Sequence, residues 1–181
     1  MVITIIAMII TYIVSPDPKA VNDTISGKAS DGLNESTDFK KVWAFTVNNG
    51  FQVPLQMFML ALIPIQFLYY INIIFTAALP GILFGLVLQF DYKKVPELII
   101  SALPYYAIEI FAFCLLAAIL FELNQVIRFK IKNIFRKSKE KGSILNKVLE
   151  TLIVYIVLTL PLIIIAAFFE TYLADFILGL F

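Results

Sequence analysis

The sequence predicts an all-α fold, a polytopic transmembrane helical bundle of about five spans. Three observations support it. Hydrophobic residues fill 61% of the 181 positions, too many for a soluble domain with one core. They gather in long runs almost free of charge, each near the roughly 20 residues a helix needs to cross a bilayer. Most of the Lys and Arg residues fall in one stretch, 122–147, an asymmetry of the kind that orients membrane proteins. On this reading residues 1–181 form a single integral membrane domain, with no length left for a separate soluble catalytic domain.

The first element is the apolar run 2–14, closed by Ser15-Pro-Asp-Pro18. No basic residue precedes it and no small-x-small cleavage site follows, so it reads as a short first span rather than a signal-peptide core. Residues 17–41 mix Asp, Asn, Ser, Thr and Gly without period and read as a hydrophilic loop. Asn22-Asp-Thr24 and Asn34-Glu-Ser36 match a glycosylation acceptor pattern that polar loops produce often by chance. Trp43, Phe45 and Phe51 surround Asn48-Asn49-Gly50, as aromatics do at the membrane–water interface. Asn48-Asn49-Gly50 itself reads as a helix-terminal turn.

Residues 51–90 are uncharged and too long for one span, so two are expected, 51–70 and 72–90, with a hairpin around Tyr69-Tyr70-Ile71-Asn72. Pro54, Pro64 and Pro80-Gly81 punctuate them. A charged loop, Asp91 to Glu97, leads to a span at 98–121, with Glu109 near its middle, or nearer its outer third if the helix starts at Pro104. In the basic segment 122–147, Ile127, Ile131, Ile134 and Phe135 recur at helical spacing, which predicts a basic amphipathic helix over 126–137. The last clear span is 148–169, kinked at Pro161, and 171–181 is an apolar tail. The positive-inside rule puts 122–147 in the cytoplasm, the N-terminus inside, and loop 17–41 and the C-terminus outside.

Two carboxylates stand where a carboxylate is expensive. Glu109 and Glu170 lie in or beside apolar runs, and a charge at mid-bilayer costs roughly 3 kcal/mol even on the lenient insertion scale. Each must be neutralised, paired or set in a wet cavity. With Asn48, Asn49, Tyr105 and Tyr106 they form a candidate intramembrane polar site, able to hold a proton, a cation or a basic group of a peptide. The plainer alternative is a protonated Glu109 that locks helices together through a hydrogen bond. Arg128, Lys130, Lys132, Arg136, Lys137 and Lys139 are candidates for contact with anionic lipid or for docking a cytoplasmic partner such as an ATPase. Nucleic acid is not expected as a partner of a membrane-tied segment.

Catalysis finds little support. The chain has no histidine, so the usual general base for a Ser or Cys nucleophile is missing. Neither a Gly-rich phosphate cradle nor a His/Cys metal spacing occurs, no cofactor is expected, and Cys114 has no partner for a disulfide or thiolate cluster. An acid/base dyad of Glu109 and Glu170 is the one enzymatic alternative.

Leu103-Pro-Tyr-Tyr-Ala-Ile-Glu109 and Ala166-Ala-Phe-Phe-Glu-Thr-Tyr172 resemble motifs of the stage II sporulation protein M family. The family pattern has Leu-Pro-His-Gly-x-x-Glu opening one span, a Glu-Ala/Thr-Tyr-like element closing the last, and an Asn-Asn pair that Asn48 and Asn49 match. Tyr105 and Tyr106 replace the family's His and Gly, so a role resting on that His does not carry over. The usual basic N-terminal segment is also absent. The resemblance implies a bacterial cytoplasmic membrane protein. It is either a scaffold for cell-wall remodelling enzymes or, as with small members beside circular bacteriocin genes, a component of peptide maturation, export or immunity, often next to an ATPase.

Overall fold

The computed structural model describes residues 1–16, 38–134 and 143–180, and among these every regular element is a helix. Five helical rods follow one another. The first, α1, is Val2–Val14. The second, α2, runs unbroken over 38–62 and contains a π-helical stretch, Thr46–Gln52. Then come α3, Tyr70–Phe90, and α4, Val95–Ile134. The fifth, α5, spans 144–178, with π-helical turns at Tyr155–Thr159 and Phe169–Leu173. Tyr70–Phe90, Val95–Asn133 and Ile144–Leu178 are long and apolar enough to cross a membrane. Val2–Val14 is shorter, about 20 Å at the α-helical rise.

The hairpin between α2 and α3 occupies residues 63–69, earlier than the expected 69–72. Pro64 is the physical reason. The residue before a proline is pushed to extended backbone, and Ile63 sits at ψ 130°, so α2 stops there. Tyr70, Ile71 and Asn72 already belong to α3. Pro104, by contrast, starts nothing: α4 begins at Val95 and passes straight through it. The expected basic helix over 126–137 is helical as far as Ile134. Its described part is the last stretch of α4, because nothing between Phe121 and Val126 breaks the helix. Residues 135–142, with Arg136, Lys137 and Lys139, lie outside the described residues, as does most of the expected loop 17–41 with both glycosylation triplets.

The core lies along α4. Met57 and Ala61 of α2, Tyr69 and Ile73 beside the hairpin, and Ile163 of α5 close over Phe113, Leu116, Leu120 and Leu123, all buried. The helix α1 packs parallel to the second half of α3, and two glycines make the approach this close. A Cβ on Gly81 would stand 2.2 Å from the Thr4 carbonyl oxygen, and one on Gly85 2.7 Å from that of Met8. With Ala77 they form the small-residue face on which apolar helices meet when no hydrophobic effect drives them together.

Candidate functional site

The antiparallel pair α4 and α5 brings Glu109 and Glu170 together. Glu109 is 4% exposed, on the face of α4 that α5 covers, while Glu170 is half-buried in the π-helical turn Phe169–Leu173. Glu109 feels the charge of Glu170, and Tyr105, one turn back on α4, feels both. Oε1 of Glu109 and Oε2 of Glu170 are buried without a hydrogen-bond partner. Among the described residues no group of three His, Cys, Asp or Glu side chains is placed to hold a metal ion. Two ionised groups here would repel each other in addition to the desolvation cost of each.

Glu170 reaches this position through a local device. A π-helical turn inserts one residue into an α-helix and re-aims the side chains beyond it, which is why such turns recur at functional positions. Around it, Thr171 donates its hydroxyl hydrogen back to the Ala167 carbonyl at 2.9 Å. The turn packs between α4 and residues 38–45 of α2.

The other polar residues expected at this site go elsewhere. Tyr106 turns to α1 and α3, where its hydroxyl lies 2.7 Å from Thr4 Oγ1 and 3.4 Å from the Ala77 carbonyl oxygen. Asn48 is exposed and donates to Asn49 Oδ1 at 2.8 Å. Asn48-Asn49-Gly50 is not a helix end: it forms the middle of the π-helical stretch Thr46–Gln52 inside continuous α2. There the Gly50 carbonyl accepts the Tyr155 hydroxyl at 2.5 Å, and Gly50 lets Leu160 of α5 come close.

A second polar centre, at the opposite end of the bundle, is built on a residue that sequence reasoning passed over. Asn124 is 1% exposed, and its amide nitrogen donates to the carbonyls of Ala61 at 2.8 Å and Ile63 at 2.7 Å. Both carbonyls lose their helical partners where Pro64 ends α2, the usual condition of a helix C-terminus, and that of Ile63 also accepts from the Ile65 N–H at 2.7 Å. One turn on, Arg128 donates to Gln66 Oε1 at 2.9 Å. The available signal was a proline ending one span and an amide beside the basic end of another. Lys147 links the neighbouring helices, 2.7 Å from Glu122 and 2.5 Å from Glu150. Of the remaining basic candidates, Lys130 is half-exposed and Lys132 exposed near the end of α4.

A family model described as Stage II sporulation protein M matches residues 1–175. No curated protein and no solved structure matches the chain.

Proposed function

Because the chain belongs to the stage II sporulation protein M family, we propose that it is a multi-pass protein of the bacterial cytoplasmic membrane serving the maturation, export or immunity of a bacteriocin-type peptide. In this reading it catalyses no reaction itself and works beside a cytoplasmic ATPase. The observation that carries it is the length of α4. Its 40 residues extend about 60 Å, against a hydrocarbon core of about 30 Å. The uncharged stretch ends at Phe121, and the helix continues as a basic stalk bearing Arg128, Lys130 and Lys132. On this stalk Phe129 is 57% and Ile131 41% exposed. Basic and apolar side chains together on a rigid projecting helix suit a protein partner as well as anionic lipid. In this reading the basic end of α4 faces the cytoplasm, as the positive-inside rule favours, with the N-terminus inside, the C-terminus outside and five crossings in all.

Co-purification from bacterial membranes tests the reading. An ATPase is expected to be retained by the native protein and lost when Arg128, Lys130, Lys132, Arg136, Lys137 and Lys139 are changed to Gln. Membranes that never retain an ATPase, together with unchanged peptide export on deletion of the protein, would overturn it.

The sporulation name of the family supports a second reading, in which the protein is a scaffold that recruits wall-remodelling enzymes at the outer face. Replacing residues 17–37 without loss of such recruitment would remove it.

A further inference from the structure

We infer that the groove between the 63–69 hairpin, α4 and the start of α5 binds a basic residue of an apolar peptide. The groove holds about 610 Å³, and Phe67, Tyr70, Phe121, Glu122, Gln125 and Lys147 line it. That volume falls among the roughly 300–1,000 Å³ of ligand pockets. Along α4 the lining runs from Ala118 to Val126, about 12 Å at the helical rise. Its walls change character over that length. Between Glu109 and Glu122 the helix carries no charge, so Ala118 and Phe121 lie in its apolar part and Glu122 opens the charged end. An amphipathic guest fits such a gradient, with its apolar part against Ala118 and Phe121 and its polar group at Glu122.

The sign of that polar group follows from the ion pairs. Lys147 Nζ lies 2.7 Å from Glu122 and 2.5 Å from Glu150, so one ammonium serves two carboxylates and the cluster is left net negative. Lys147 bonds Oε2 of each carboxylate, and Oε1 is the atom a second cation would meet. The rings suit the same guest. Phe67 stacks on Phe121 with centroids 5.8 Å apart and planes 14° from parallel, and Tyr70 meets Phe67 edge-on at 5.6 Å. Aromatic faces attract cations, most strongly where water is scarce. Phe67 keeps this place at φ 66°, a left-handed backbone that is costly for a bulky residue and that recurs at ligand clamps. A phospholipid headgroup matches less well, because it brings a phosphate. Among the described residues the basic side chain lining the groove is Lys147, already shared by two carboxylates. Arg128 donates to Gln66 and does not line the groove. Given the peptide-system reading, on which this step rests, the cation is a lysine or arginine side chain in an apolar peptide segment.

Photo-crosslinking of the full chain in an uncharged maltoside detergent tests the site. The probe is a short apolar peptide amide carrying one lysine and a diazirine, compared with the same peptide acetylated at that lysine. The lysine form is expected to label the groove around Phe67, Tyr70 and Phe121, and the acetylated form to label it about two- to fivefold less. Glu122→Gln is expected to weaken labelling by a similar factor. Lys147→Gln, which leaves Glu122 and Glu150 without their shared cation, is expected to strengthen it. Equal labelling by the two peptides, or labelling confined to other residues, overturns the proposal. So does loss of labelling in Lys147→Gln at native helicity, which would mark a phosphate site instead, or displacement of the probe by phosphatidylethanolamine, which would give the groove to a lipid. The two peptides on the native protein decide the matter if a variant does not fold. Probe labelling needs neither an ATPase nor export, so failure here is distinguishable from failure of the peptide-system reading.

Discussion

A carboxylate inside an apolar run is visible in any sequence, because burial forces it to find a proton or a partner. Glu109 is visible in that way; its pairing with Glu170 is not, since only the antiparallel approach of α4 and α5 brings the two together. Asn124 is the reverse case. As one of two adjacent amides after a leucine-rich run it carries little signal in the sequence. Yet it is fully buried and bridges two carbonyls at the end of α2 that Pro64 enforces. Asn124→Leu keeps the volume and removes the donor, leaving the buried carbonyl of Ala61 without its amide partner, while the Ile63 carbonyl keeps the Ile65 N–H at 2.7 Å. The expected loss is about 1–3 kcal/mol of stability, measured by unfolding of the purified protein in detergent. Gln125→Leu, at an exposed neighbouring position, is the control and is expected to change little. Equal losses in both variants would show that the amide's hydrogen bonds are not the cause.

Hydropathy marks where apolar helices lie but is nearly silent about how far they extend and how they twist. The long α4 outruns its uncharged stretch at both ends, because charged and amide side chains are compatible with helix once the backbone has left the apolar region. The π-helical stretches among the described residues have no signature in apolar periodicity at all, and the polar break Asn48-Asn49-Gly50 therefore reads as a helix end when it is the interior of α2. Glycines carry more than their local signal suggests. Gly81 beside Pro80 looks like punctuation, whereas in the bundle Gly81 and Gly85 form the surface on which α1 rests. Gly81→Ala is expected to force α1 away from α3, since the added carbon meets backbone rather than a movable side chain. Overpacking of this kind costs about 1–3 kcal/mol. It should appear as a lower thermal midpoint, whereas Gly179→Ala, whose added carbon would have its nearest neighbour at 3.5 Å, should leave the midpoint unchanged. An unshifted midpoint for Gly81→Ala would mean that α1 does not dock on α3 as described.

At the scale of the whole molecule, the polar contacts sort the connections into two ends. Asn124 and Arg128 tie the 63–69 hairpin to the basic end of α4, and Lys147 joins the start of α5 to the same region. The turn after α3, Glu170 and Asp175 lie at the other end, where the last turns of α5 meet α4. Antiparallel packing imposes this sorting whatever the orientation in the membrane, and the concentration of Lys and Arg then selects which end faces the cytoplasm. The two statements can be tested together by single cysteines in a Cys114→Ser background. With an impermeant maleimide added to intact cells, cysteines at Tyr92 and Asp175 are expected to label, and cysteines at Gln66 and Lys132 to label only after the membrane is opened. A reversed pattern that keeps the same partners would invert the orientation and leave the bundle intact. Labelling of Gln66 and Lys132 from opposite sides would break the bundle itself, because the contacts of Asn124 and Arg128 cannot form across a bilayer about 30 Å thick.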